Sequence, residues 1–273
     1  MCLRGVNIMR MKSLASGSSG NAIYVGSDTT HILVDAGISG KKIEEGLNRI
    51  GISCKELDAI LITHEHSDHT HGLGILSRRY GIPIYATEGT IKGIYENPAL
   101  GEIEEGLFQT IRADDKFIIK DITAYPIRIS HDAREPVAYR FGYGACKTAI
   151  MTDLGVYDDY ILGNLQGLDA VFIEANHDVR MLQIGKYPYR LKQRILGKYG
   201  HLSNEASGRL LSQILHDKMK HVVLSHLSQE NNLPELAYEA VRLEITASNT
   251  PYQGDDFDIM VADRYEPSCC IEV

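Results

Sequence analysis

The chain has 273 residues, 44% of them hydrophobic and 23% charged, with a formal net charge of −8. That length and apolar content are enough for a substantial buried core, and no apolar run reaches the length of a membrane-spanning helix. The acidic balance argues against a broadly basic nucleic-acid-binding surface, although a tally of side chains omits any bound cation.

Arg4, Arg10 and Lys12 are followed by no long apolar stretch, so no secretory leader is expected. Met9 and Met11 are alternative starts, and residues 1–10 are read as an extension outside the core of one domain spanning 1–273. The five cysteines, Cys2, Cys54, Cys146, Cys269 and Cys270, form no CxxC pair and follow no framework spacing. A disulfide scaffold or a cysteine zinc site is therefore not expected, and reduced thiols in a cytoplasmic protein are.

The run Ala15-Ser16-Gly17-Ser18-Ser19-Gly20-Asn21 is either a tight turn or a backbone cradle for a phosphate, with Ser18, Ser19 and Asn21 as candidate contacts. Apolar, β-branched runs then predict strands at 22–25 and 32–35, a helix at 42–50 and a strand at 59–63. Directly behind that strand stands Thr63-His64-Glu65-His66-Ser67-Asp68-His69. In a segment leaving a strand, residues two apart point the same way, so His64 and His66 can grip one cation. Asp68 and His69 can face a second, and Gly72 is expected to permit a tight bend into a helix at 73–80. A strand at 84–86, a helix at 90–96 and strands at 117–119 and 124–129 follow, the last leading into Ser130-His131-Asp132. The strand at 148–151, after one at 137–141, leads into Thr152-Asp153. The strand at 170–173 leads into Glu174-Ala175-Asn176, and the strand at 221–224 into Ser225-His226. A helix at 204–215, offered caps by Ser203 and Asn204, precedes that last strand. A helix at 234–248 and a strand at 257–261 close the chain. Each of His131, Asp153 and His226 thus sits just behind an apolar β run, where one such residue alone would be an ordinary turn.

HxHxDH followed by His131, Asp153 and His226 resembles the ordered ligand set of the metallo-β-lactamase superfamily, over residues 14–227. The resemblance implies an α+β fold, an αββα sandwich of two mixed sheets flanked by helices. It also implies two divalent metal ions, zinc or manganese. His64, His66 and His131 would hold one ion, Asp68, His69 and His226 the other, and Asp153 would bridge them. Asp35 corresponds to an aspartate that orients a ligand. Two cations about 3.5–4 Å apart can share a hydroxide, from which Asp68 could accept a hydrogen bond, and clamp an in-line displacement. No serine or cysteine nucleophile is needed, and Asp153 in the bridging position does not fit the cysteine-type β-lactamases.

Glu174 and Gly200-His201-Leu202-Ser203-Asn204 resemble the Glu and His motifs of tRNase Z-like phosphodiesterases. That implies that Glu174 orients His201 and that His201 protonates the leaving oxygen. Between them, residues 180–198 carry Arg180, Lys186, Arg190, Lys192, Arg194 and Lys198 among tyrosines, with no acid. This is either a solvated helix face or a surface that tracks phosphates and stacks on bases. The whole pattern is similar to the YycJ (WalJ) family of bacterial metallohydrolases, which implies a 5′→3′ exonuclease on double-stranded DNA. Asn176, Arg190, Lys192, Arg194 and Asn204 join Ser18, Ser19 and Asn21 as candidate substrate contacts. The alternatives are a tRNase Z-like RNA nuclease, a small-molecule or cyclic-nucleotide phosphodiesterase, and a metal-bound regulatory module. The stretch from Asp153 to His226, about seventy residues, leaves no room for a β-CASP domain. His177 stands where the family resemblance leads one to expect an aromatic. His31, His71, His216 and His221 are read as surface or core residues.

Overall fold

The computed structural model describes residues 8–268 and 270–273. Its first sheet begins with β1 (Arg10–Ala15), β2 (Ala22–Gly26) and β3 (His31–Val34), paired antiparallel. It continues parallel through β4 (Ala59–Leu61), β5 (Ile84–Thr87) and β6 (Phe108–Ile111). The second sheet runs antiparallel through β7 (Phe117–Ile119), β8 (Ile122–Arg128), β9 (Val137–Tyr143) and β10 (Cys146–Met151). Parallel pairing then takes it through β11 (Ala170–Glu174), β12 (His221–Ser225) and β13 (Asp258–Val261). The short β14 (Ile271–Glu272) pairs with β1, giving two mixed sheets of seven strands among the described residues.

Alternation along each strand decides what the sheets bury. Ile32 and Val34 of β3 join Ala124, Phe141, Ile150 and Phe172 in an apolar layer between the sheets. Leu33 points the other way, into a second layer. There α1 (Gly40–Asn48), α3 (Leu73–Tyr80) and α4 (Glu88–Tyr95) supply Ile43, Leu47, Leu76 and Ile94. The four-residue α2 (Ser67–Thr70) precedes α3. On the far side, α5 (Asp159–Leu165) contributes Ile161 and Leu165 to a third layer. Two further helices lie between α5 and that layer's remaining helices: α6 (Val179–Ile184) and α7 (Tyr189–Leu196). The third layer is completed by α8 (Asn204–Leu211) and α9 (Pro234–Ala247) with Leu210, Leu211, Val241 and Ile245. The architecture is the αββα sandwich expected from the sequence. Its parallel strands read as unbroken apolar runs because both faces are covered, each fully buried Leu or Ile contributing about 1.5–3 kcal/mol.

Several boundaries moved for identifiable reasons. Helix α1 starts two residues early because Ser39 caps it through Lys42 N, and α4 starts at Glu88 because Thr87 caps it. Helix α8 ends at Leu211, after which Ile214 and Leu215 stay buried in turns. The expected extension at residues 1–10 needs correction. Met9 is fully buried and exchanges backbone hydrogen bonds with Val273, and Arg10 opens β1. The signal was present as alternation, with Met11 and Ser13 buried and Arg10 and Lys12 half-exposed. Residues 1–7, Cys2 among them, and Cys269 lie outside the described residues. Burial pushes the Cys54 thiol up to about 11, an inert group at neutral pH. Among the described residues no helix is long and apolar enough to cross a membrane.

Candidate metal centre

The parallel strands of both sheets end on the same side, and the polar residues that follow them converge there. Residues 62–64 leave β4, Asp35 follows β3, Asp153 follows β10 by two residues, Glu174 ends β11 and His226 follows β12. The parallel register sets Glu174 beside Ser225, so neighbouring strand ends are level. Asp35, Asp153 and His226 have φ of 60°, 60° and 55°. Such left-handed backbone costs about 1–3 kcal/mol at a non-glycine residue and persists where the surroundings impose it. Here it turns the chain sharply off the strand while the side chain stays in the cluster. Gly37 is required for space, since a Cβ there would lie 1.7 Å from the Asp68 carbonyl oxygen. Gly72, at the expected bend into α3, has an ordinary right-handed φ of −88°. A Cβ there would stand 2.3 Å from the Ile38 carbonyl, so it too is a close approach.

The imidazole and carboxylate groups singled out in the sequence meet in one place. His66 Nδ1 lies 3.0 Å from His64 Nε2 and 3.3 Å from His131 Nε2. His69 Nε2 lies 3.5 Å from Asp68 Oδ2 and 3.3 Å from Asp153 Oδ2. Asp153 Oδ1 is 3.2 Å from His226 Nε2 and 3.8 Å from His131 Nε2. Two triads result, His64/His66/His131 and Asp68/His69/His226, each with its donor atoms within 4.8 Å of one another. Asp153 lies against both.

The opposite ring nitrogens are held from behind, which selects the tautomer that leaves the inward nitrogen free. His69 Nδ1 donates to Asp35 Oδ2 at 2.7 Å, and His226 Nδ1 donates to Asn21 Oδ1 at 3.1 Å. His131 Nδ1 donates to the Gly200 carbonyl at 3.2 Å, and His64 Nδ1 lies 3.0 Å from Thr63 Oγ1. Asp35 is itself fixed by the backbone N–H and hydroxyl of Thr63.

Burial, with neighbouring imidazoles adding to it, lowers the basicity of His64 and His66. Asp153 is opposed by burial, but His226, His69, His64 and His131 outweigh it and hold its carboxyl well below the usual range. Burial likewise opposes a charged His69, yet Asp153, Asp35 and Asp68 raise it well above the usual imidazole range. The carboxylates thus place negative potential where the imidazole nitrogens converge, the condition that favours a divalent cation. Asp153 Oδ2 is fully buried with no hydrogen-bond partner, an arrangement a bound cation would satisfy. Histidine nitrogens with carboxylate oxygens are the donor set of zinc and manganese sites. The residues therefore fit divalent metal ions.

Beside this cluster His201 Nδ1 donates to Glu174 Oε2 at 2.9 Å and lies 3.7 Å from Asp153 Oδ1. Glu174 also accepts from the backbone N–H groups of Asp153, Leu154 and Leu202, so one buried carboxylate ties the aspartate and histidine loops together. Burial disfavours the imidazolium, but Glu174 overrides it and lifts His201 to about 9. Its side chain keeps 19% exposure.

The candidate substrate contacts divide. Ser18, Ser19, Arg190 and Arg194 are exposed. Arg194 pairs with Asp132, which fastens α7 to the rim beside His131. Lys192 donates at 2.7 Å to the carbonyls of Gln183 and Gly185, closing the end of α6. Three assignments need correction, because Asn21, Asn176 and Asn204 are buried with their amides engaged internally. Asn21 joins the Gly17 N–H to His226, and its nitrogen lies 3.1 Å from His69 Nε2. Asn176 donates to the His226 carbonyl, and Asn204 exchanges hydrogen bonds with Asn232. These amides frame the centre from within. His177 is buried beside Asn176, and burial holds it down to about 4. His31, His216 and His221 have local partners, and His71 is exposed. Thr63, Asp132 and the Gly200 carbonyl had no assigned role. Thr63 and Asp132 adjoin the candidate ligands His64 and His131, whereas a carbonyl leaves no mark in a sequence.

A family model described as the beta-lactamase superfamily domain matches residues 30–227. The metallo-β-lactamase fold protein YhfI from Bacillus subtilis superimposes with a TM-score of 0.70 at 15% identity, covering 98% of this chain and 100% of that one. The chain belongs to the metallo-β-lactamase superfamily. It is 41% identical to Exodeoxyribonuclease YycJ of Bacillus anthracis, over 93% of this chain and 96% of that protein. It is 44% identical to Exodeoxyribonuclease WalJ of Streptococcus pneumoniae serotype 2 (strain D39), over 82% and 84%. Within the superfamily it is a member of the YycJ/WalJ family.

Asp35 offers a direct check on the orienting contacts. Asp35→Asn, which keeps the size but removes the charge behind His69, should weaken metal affinity by about 10–100-fold. Competition with a chromophoric chelator reads this. Unchanged affinity would mean that His69 is oriented without Asp35.

Proposed function

We propose that this protein is a metal-dependent exodeoxyribonuclease that removes nucleotides from the 5′ end of double-stranded DNA. The observation that carries the proposal is the Glu174–His201 pair lying against Asp153, a proton donor set beside a candidate metal cluster. The names of the two relatives at 41% and 44% identity supply the substrate class. In this reading His64, His66 and His131 hold one divalent cation and Asp68, His69 and His226 the other, with Asp153 reaching both. The cations are zinc or manganese. They neutralise phosphoryl charge and activate water.

The chain's own residues do the remaining work. Asp68, 24% exposed at the edge of the cluster, is placed to accept a hydrogen bond from the attacking water. Glu174 favours the protonated form of His201, and because Nδ1 is held by Glu174 it is Nε2 that would give its proton to the leaving oxygen. Glu174 balances the imidazolium charge until that proton is given up. Cations at Asp153 would bring the His201 value down from about 9 toward the working pH. The surface that receives DNA is the α6–α7 segment, with no acid between Asp178 and Glu205 and with Arg180, Lys186 and Arg190 exposed. Ile184 and Tyr189 stand 86% and 75% exposed beside those cations, suited to packing on bases or sugars.

The test is duplex DNA labelled at one 5′ or one 3′ end, with matched RNA and a cyclic nucleotide, in Mn²⁺ or Zn²⁺. The expected result is early release of the 5′ label as a mononucleotide, slow loss of the 3′ label and little action on the other two substrates. Equal digestion of RNA, or turnover of the cyclic nucleotide alone, would overturn the reading.

A further inference from the structure

We propose that the open cavity beside Asp68 binds the 5′-terminal phosphate of the strand being digested, an inference that rests on the nuclease reading above. The cavity measures about 360 Å³. It is lined by the hydroxyl-bearing Ser18, Ser19, Ser39 and Ser67, by Lys42 and by His71. Asp68 is its one lining carboxylate and belongs to the metal cluster as well, so cavity and cluster are contiguous.

The chemistry of this lining selects a phosphate. Among the described residues no protein group hydrogen-bonds the hydroxyls of Ser18, Ser19 or Ser67, and no backbone partner takes the N–H of Ser18 or Ser19. Ser39 caps α1, whose first turn carries no acid, so the positive end of that helix is not neutralised by its own side chains. Four hydroxyls, an ammonium, an imidazole and free amides surround the space. A backbone diester has two non-bridging oxygens to offer them, while a terminal monoester has three and a higher negative charge. The donor count fits the monoester.

A terminal phosphate held there leaves the following phosphate to reach the cluster, so the cavity sets both polarity and step. Hydrolysis breaks the P–O3′ bond and forms a P–O bond to the water oxygen, while the His201 proton goes to O3′. The shortened strand therefore ends in a new 5′-phosphate, the ligand the cavity takes next.

The experiment uses the full-length, metal-loaded protein. Binding is measured with phosphorothioate-linked duplexes bearing a 5′-phosphate, a 5′-hydroxyl, or a 5′-hydroxyl with a 3′-phosphate. First-cut rates are measured on cleavable counterparts of the first two. Charge-assisted hydrogen bonds to the end should make 5′-phosphate binding at least about tenfold tighter. A 5′-hydroxyl strand should show a lag that ends after its first cut. Lys42→Ala and Ser18→Ala/Ser19→Ala, all at exposed positions, should each shrink the preference and the lag. Equal binding of the three ends overturns the proposal, as does a 3′-phosphate binding as tightly as a 5′-phosphate. So does an undiminished preference in both variants. If the wild type cuts no DNA, the nuclease reading fails, and the binding arm still decides the cavity.

Discussion

Asp153→Asn is expected to lower nuclease activity by on the order of 10³-fold or more, because a shared cation ligand supplies several kcal/mol of transition-state stabilisation. The reason is geometric. Asp153 Oδ1 and Oδ2 together approach His131, His226 and His69, so no other carboxylate can take over its position between the triads. The substitution should also reduce bound metal, read by elemental analysis after gel filtration. It should shrink the rise in melting temperature that added Mn²⁺ or Zn²⁺ gives the wild type. Full metal retention with activity within about tenfold of wild type would remove Asp153 from the centre of this account.

The second large effect lies at His201. His201→Ala should cost about 10²–10⁴-fold on DNA, the usual contribution of a positioned general acid. The loss should nearly vanish on a nitrophenyl diester, whose leaving oxygen needs no proton. An equal loss on both substrates would assign His201 a structural part instead. The pH dependence has a definite sign. An unfolded imidazole titrates near 6.5 and His201 near 9, so the Glu174–His201⁺ pair stabilises the fold fully below about 6.5. That contribution is lost as pH rises toward 9, and activity that needs the imidazolium also falls as pH rises, over a range that cations at Asp153 would shift below that value. In Glu174→Gln the largest opposing charge is gone, so the descending limb of kcat/KM should move to lower pH while the ascending limb stays. A limb that does not move would show that His201 does not titrate in the reaction.

Much of this was legible because parallel strands of a covered sheet are apolar on both faces. A run such as residues 170–173 ends abruptly, and the first polar residues after it stand at the sheet's end, where an α/β protein places its chemistry. His64, His66, Asp153 and His226 were readable in that way, whereas His131 follows the antiparallel β8, whose residues alternate in burial. The asparagines were misread for a related reason. Asn21, Asn176 and Asn204 adjoin the same strand ends, and nothing in a side-chain formula says whether an amide faces solvent or locks a neighbouring loop. Helix α7 was ambiguous because it buries none of its residues fully, so its apolar pair Leu191 and Ile195 could not be told from a solvated face.

By itself the sequence determined which chemical groups this protein has, in what order, and which apolar runs carry them, since strand periodicity and donor identity are local properties. The tertiary structure alone decided that Asp153 faces both triads, that Glu174 ties the Asp153 and His201 loops together, and that Ser18, Ser39, Ser67 and Lys42 line one cavity. Those relations join residues far apart in the chain. They depend on strand register and on three left-handed turns imposed by packing, which no short stretch of sequence encodes.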